Sequence, residues 1–357
     1  MRTKPIKRLL AMVLAVACAV GLTSTAWAID QPPVNSATSA CVMDVDSGRI
    51  LYSKNENAER CIASITKIMT AILVIENNTD FNQVITASKT AAAEDGTSLY
   101  LVEGDKLTLM TGLYGTMLRS GNDAAVAIAE HTAGSVEKFV QMMNDKAKEL
   151  GMTHSHFSWP NGLIDEDNYS SAKDMAILSS YAMKNKLFAK IVKTGYIETK
   201  DGYQIENHNR MLSRDKRCIG VKTGFTTLAG RTLVTCFKNP DNGQRIIIVT
   251  LNNYDHYNDH QRLCNWAFDN FQQTTLVKRK AKVATVNSDG KTAELIAKEK
   301  VSWPSKDGEA SRITSTFSVQ SNQGGPMEEG TMAGVMRFYL DKKKIGQTQL
   351  VYHYPES

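Results

Sequence analysis

The 357-residue chain contains no apolar run long enough to cross a bilayer. Its greasiest stretch, Leu9 to about Leu22, falls short of the roughly 20 residues a spanning helix needs. No C-x-x-C pair is present, which removes a structural zinc site, and no internal repeat or low-complexity tract, which removes a solenoid or a disordered scaffold. Charge of one sign is also scarce: 42 Lys and Arg stand against 37 Asp and Glu, and four of the basic residues, Arg2, Lys4, Lys7 and Arg8, precede the first apolar stretch.

That opening, basic then apolar then Ala26-Trp27-Ala28, has the order of a secretory signal peptide cut after Ala28. Ala15 stands where a lipid-attachment signal would carry a large aliphatic residue, so Cys18 is not read as a lipid anchor. Without the first 28 residues the balance is 38 basic against 37 acidic, near +1, and the compositional case for nucleic-acid binding disappears. About 329 residues remain, enough for one large domain and a small one. The last residues, "QLVYHYPES", hold no amphipathic helix. The expectation is an exported, extracytoplasmic protein, soluble or in peripheral contact with the membrane at most.

Five cysteines outlast cleavage, Cys41, Cys61, Cys218, Cys236 and Cys264, an odd number that leaves at least one thiol free. Cys218 and Cys236 lie in strand-like runs that could face each other in a hairpin, so a cross-strand disulfide is one expectation. Burial as small hydrophobes is the other, and the one adopted.

"TSACVMDVDSGRILYS" (38–53) reads as two strands about the turn Asp46-Ser47-Gly48. The run Ile65 to Ile75 reads as a buried helix, 107–150 as helix-rich and 172–188 as helical. Strand patterns follow at 217–224, 231–237 and 245–252, then a closing helix to about 271. Beyond 276 short alternating runs separated by Gly, Asn, Ser and Pro predict a small all-β module. The fold class is therefore α/β: an antiparallel sheet built from strands of both ends of a domain spanning 29–275 and covered by helices, with a β-rich domain at 276–357.

In "ASITKIMTA" Ser64 and Lys67 fall one helical turn apart within an otherwise apolar run. A serine hydroxyl needs a base in contact to become a nucleophile, and a lysine deprived of water can serve. Alone the pattern is weak, since a capping serine beside a solvated lysine looks identical. Two further motifs change its weight: Ser120-Gly121-Asn122 in "RSGNDAA", and Lys222-Thr223-Gly224 in "GVKTGFT". Together they form the S-x-x-K, S-x-N, K-T-G set of penicillin-binding proteins and class A β-lactamases. A second K-T-G at Lys193-Thr194-Gly195 ends a helical pattern and reads as a helix stop. Only the copy at 222 sits on a strand able to lie along a peptide.

With these motifs, "LGMTHSHFSWPNGLIDEDNYSSAKDMAIL", "NHNRML" and "GQRIIIVTL" in matching order, the chain closely resembles the serine-type D-Ala-D-Ala carboxypeptidases, the low-molecular-mass penicillin-binding proteins. The resemblance implies the penicillin-binding/β-lactamase-like transpeptidase fold, no cofactor, and as substrate the peptidoglycan stem peptides ending in D-Ala-D-Ala, with β-lactam antibiotics as inhibitors. It makes Ser64 the nucleophile, Lys67 its base and Ser120 the proton shuttle. It gives Asn122, Lys222, Thr223 and Gly224 to substrate binding, the amides of Ser64 and Phe225 to the oxyanion, and Arg245 to the terminal carboxylate. Trp159, where the family usually has asparagine, and His208 in "NHN" depart from the pattern.

Two rivals share these features. A β-lactamase would need a deacylating carboxylate, and Glu166 lacks the Leu-Asn context that class A enzymes give theirs. A non-catalytic envelope peptide-binding protein would have no reason to keep Ser64, Lys67, Ser120 and Lys222 together. His256 and His260, at i, i+4 with no third ligand signalled, are expected in a solvated loop.

Overall fold

The structure, a computed structural model, describes residues 31–163, 166–288, 291–319 and 328–355; the expected export segment lies outside them. Ser39–Asp44 (β1) and Ile50–Lys54 (β2) form the anticipated hairpin, with the Asp44 carboxylate accepting from the Ser47 amide and hydroxyl at its turn. Cys218–Thr226 (β3), Gly230–Lys238 (β4) and Arg245–Leu251 (β5) complete an antiparallel sheet of order β2-β1-β5-β4-β3. The central position of β5 explains its uninterrupted apolar run. Ile247 and Val249 join the core on one face of the sheet, and Ile246 and Ile248 the core on the other.

Helices cover both faces. Lys67–Asn77 (α1) is buried at every position from Lys67 to Ile75, so it runs through the middle of the helical layer rather than along its surface. Asn122–Ala133 (α2) and Val136–Leu150 (α3) pack beside it. The expected helix over 172–188 is two, Ala172–Ala182 (α4) and Lys186–Lys193 (α5). Asn185 interrupts it, because its side chain accepts from the Leu187 and Phe188 amides and restarts the helix. On the opposite face, His256–Asn270 (α6) packs its Leu263, Trp266 and Ala267 with Ile246 and Ile248.

The two histidines are on α6, not in a solvated loop. His260 is fully buried and bridges the hydroxyls of Thr235 and Thr250 at 2.7 and 2.8 Å; burial pushes its pKa down to about 3, so the imidazole is neutral. The five described cysteines are free thiols, four of them buried. Cys218 and Cys236 occupy adjacent strands without bonding, and the Cys218 thiol lies 3.1 Å from the Gly220 carbonyl.

After α6 the chain is almost wholly β. Gln272–Val277 (β6) pairs with Val301–Ser305 (β9), while Lys282–Ser288 (β7), Lys291–Ala297 (β8), Ile313–Val319 (β10), Met332–Leu340 (β11) and Lys343–His353 (β12) form a sheet of order β7-β8-β12-β11-β10. Its small core contains Leu295, Ala333, Leu350 and Tyr352.

Arg49, at the β1–β2 turn, fastens this module to the first sheet. Its guanidinium bonds both carboxylate oxygens of Glu309 and the Pro304 carbonyl, and lies about 5 Å from the rings of Phe271 and Trp303. Arg49→Ala should destabilise the chain by roughly 1–2 kcal/mol in urea melts. Any reactivity of the cleft described next should stay within twofold of wild type, since Arg49 lies outside its lining.

Candidate active site

Ser64 sits on a single 3-10 turn, Ala63–Thr66, and Lys67 opens α1 immediately after it. The three-residue spacing stacks the two side chains, with Lys67 Nζ 3.0 Å from Ser64 Oγ. The ammonium is wholly buried and spends its other two donors on Asn122 Oδ1 at 2.6 Å and the Asn161 carbonyl at 2.7 Å. Burial disfavours its charged form and holds Lys67 well below lysine's usual range. The charge of Lys222 pushes the same way, while Glu94 and Asp123 oppose it.

Ser120 follows a π turn, Gly115–Arg119, in the left-handed conformation at φ 69°, a costly geometry for a serine that ends one helix and starts the next. Two residues on, Asn122 opens α2, so its amide oxygen reaches Lys67 while its nitrogen donates to the Asp95 carbonyl at 2.6 Å. The neighbouring Asp123 carboxylate collects the amides of Leu99 and Leu101 and the Ser98 hydroxyl, which shapes the loop carrying Thr97 into the cleft.

Opposite Ser120 runs β3, the edge strand, bearing Lys222, Thr223, Gly224 and Phe225. A Cβ placed on Gly224 would lie 2.4 Å from Thr232 Oγ1 and 3.1 Å from the Ser64 amide nitrogen, so glycine is what lets the strand approach the serine. Thr232 donates to the Ile62 carbonyl at 3.0 Å and fastens the Ser64 turn to the sheet. Lys222 is buried, donates to the Thr223 carbonyl at 3.0 Å, and is brought down to about 7 by loss of water. Ser64, Ser120, Thr223, Gly224 and Phe225 share one cleft of about 560 Å³.

Arg245 is not part of it. Register pairs Arg245 with Lys238 at one end of β4, whereas Phe225 pairs with Arg231 at the other. Its guanidinium is tied to Asp46 at 2.6 Å and to the Met183 carbonyl at 3.1 Å. The cations that do line the cleft are Arg210 and Arg231, beside His208 and His256. A single sequence gives no signal for them, nor for Asn161 and Glu94, which lie in loops without periodicity. The other K-T-G behaves as a helix stop, with Lys193 ending α5.

The chain can now be set beside known proteins. A family model described as D-alanyl-D-alanine carboxypeptidase matches residues 26–255, and one described as the C-terminal domain of penicillin-binding protein 5 matches 271–354. The chain belongs to the D-alanyl-D-alanine carboxypeptidase family. D-alanyl-D-alanine carboxypeptidase DacF of Bacillus subtilis is 32% identical, over 88% of this chain and 84% of its own. Its Escherichia coli relative DacC is 29% identical over 92% and 86%. Among solved structures, penicillin-binding protein 5 of Haemophilus influenzae superposes with a TM-score of 0.74 at 26% identity, covering 90% of this chain and 98% of that one. The expected fold, a helix-covered antiparallel sheet followed by a β domain, is thus the family's, and the chain is a serine-type carboxypeptidase of that family.

The depressed lysines leave a mark on stability. In the unfolded chain Lys222 holds its proton to about 10.5, whereas in the fold it releases it near 7, so between those values the unfolded state binds more protons and stability rises with pH. From pH 7 to 8 the wild type should gain about 1 kcal/mol relative to Lys222→Met in paired urea titrations. Parallel pH slopes in the two proteins would contradict a buried, readily neutralised Lys222.

Proposed function

We propose that Ser64 attacks the carbonyl joining the two terminal D-alanines of a peptidoglycan stem pentapeptide. The observation that carries this reading is the 3.0 Å contact between Ser64 Oγ and a lysine that has no access to water. Lys67 in its neutral form takes the serine proton as the C–O bond forms. The tetrahedral oxyanion rests on the amides of Ser64 and Phe225, where the close passage of Gly224 brings strand and turn together. Ser120 returns the proton to the leaving nitrogen, and D-alanine departs. Asn122 holds the peptide group, while Lys222 and Thr223 bind substrate and polarise Ser120. Water then hydrolyses the Ser64 ester and regenerates the hydroxyl.

Penicillins enter by the same step: Ser64 opens the β-lactam ring and the acyl group stays on the enzyme. Glu166 is solvent-exposed, which supports slow release over β-lactamase turnover. The binding-protein reading fails to account for a buried lysine in contact with the serine. We further read residues 1–28 as an export segment, 29–275 as the catalytic domain and 276–357 as a module for docking or spacing in the envelope. Among the described residues no helix is long and apolar enough to cross a membrane.

For the terminal carboxylate of the substrate we assign Arg231 in place of Arg245. It lines the cleft, stacks 5.6 Å from the Phe225 ring, and has no carboxylate partner among the described residues. Intact-mass analysis with benzylpenicillin should add one penicilloyl group to the wild type and none to Ser64→Ala. The wild type alone should release D-alanine from a diacyl-D-Ala-D-Ala peptide, and rapid turnover of a chromogenic cephalosporin would instead indicate a lactamase. Arg231→Ala should raise KM for the peptide about tenfold with kcat little changed, as loss of a charged hydrogen bond does, whereas Arg245→Ala should leave both nearly unaltered.

A further inference from the structure

Behind the serine and lysine lies a second tier of contacts that the motif set does not contain. Lys67 has two acceptors besides Ser64, the Asn161 carbonyl and Asn122 Oδ1, and each is held in turn by the dipeptide Glu94-Asp95. Asn161 Nδ2 donates to Glu94 Oε2 at 2.5 Å, and Asn122 Nδ2 to the Asp95 carbonyl at 2.6 Å. The remaining oxygen of Glu94 accepts from Trp159 Nε1 at 2.8 Å, so both carboxylate oxygens are engaged. Trp159 is one of the two positions where this sequence leaves its family's habit, and asparagine there is too short to present an indole N–H. Gly162, at φ +77°, presses this segment onto the Ser64 turn: a Cβ there would fall 2.2 Å from the Ala63 carbonyl.

We propose that Glu94 is a positioning residue for acylation: anchored by Trp159, it fixes the Asn161 carbonyl against Lys67 and supplies the negative charge that offsets the lysine's loss of water. The proposal rests on the Ser64 acyl-enzyme reading above. Lys67 faces three other charges or dipoles of note: the Lys222 ammonium from β3, the Asp123 carboxylate from α2, and the Asn122 amide oxygen. Glu94 and Asp123 favour its protonated form, Lys222 and the apolar surroundings its neutral one. Removing the Glu94 charge therefore makes Lys67 easier to deprotonate, while loosening the carbonyl that aims it.

Glu94→Gln changes the charge but keeps the shape. The amide nitrogen it introduces must face either the Trp159 or the Asn161 donor, so one contact is lost as well. Measured as the second-order rate of benzylpenicillin acylation from pH 5 to 10, its acid limb should move down by about half a pH unit or more, with a plateau lowered several-fold. Trp159→Phe keeps the charge and removes only the indole donor; its plateau should fall several-fold with the limb in place. An acid limb in Glu94→Gln coincident with that of the wild type overturns the proposal, as does a Trp159→Phe variant that acylates at the wild-type rate, which also decides the matter if Glu94→Gln does not fold. Absence of any penicilloyl adduct on the wild type would instead reject the reading of Ser64 itself.

Discussion

A lysine sealed from water and held against a serine hydroxyl is the constraint around which this protein is built. An ammonium in an apolar interior is tolerated only when its donors are all satisfied, and here they are, by a hydroxyl, an amide oxygen and a backbone carbonyl. Each acceptor comes from a different part of the chain: the turn before α1, the start of α2 and the loop at 159–163. The folding of three segments around one nitrogen is thus the same event as the assembly of the site.

The sheet supplies what the helices cannot. Its edge strand must pass within contact of the serine amide, which Gly224 permits and the Thr232 bond to Ile62 enforces. The largely apolar α1 keeps Lys67 dry by occupying the centre of the helical layer, with no solvent face along its first nine residues. On the far side α6 covers Ile246 and Ile248 and sets its own neutral His260 between the hydroxyls of Thr235 and Thr250, which ties the helix to the sheet beneath the cleft.

Much of this was legible because the informative distances are short in sequence. Ser64 and Lys67 are neighbours on one turn, and Ser120 and Asn122 bracket one glycine. The strand bearing Lys222 declared itself by alternation. Arg245 was given to the substrate by resemblance, on the short match "GQRIII", which puts a residue on a strand but not at either end of it, and here the register sends it away from the serine. His260 was expected in a solvated loop because its sequence neighbourhood signalled no third metal ligand, while in space the hydroxyls of Thr235 and Thr250 receive it. Asn185 split a helix that periodicity alone ran through. Glu94 was invisible for a plainer reason: it lies 65 and 67 residues from the side chains it grips, in a loop with no pattern.

The unpaired side of β3 has a consequence for what the molecule can accept. A bare sheet edge invites any extended chain, including another copy of itself. This one faces a wall formed by the left-handed Ser120 corner and the imidazole and guanidinium groups of His208 and Arg210. The trench between has the width for one extended chain laid along the edge, so the strand that would otherwise invite sheet growth is set within a cleft beside Ser64.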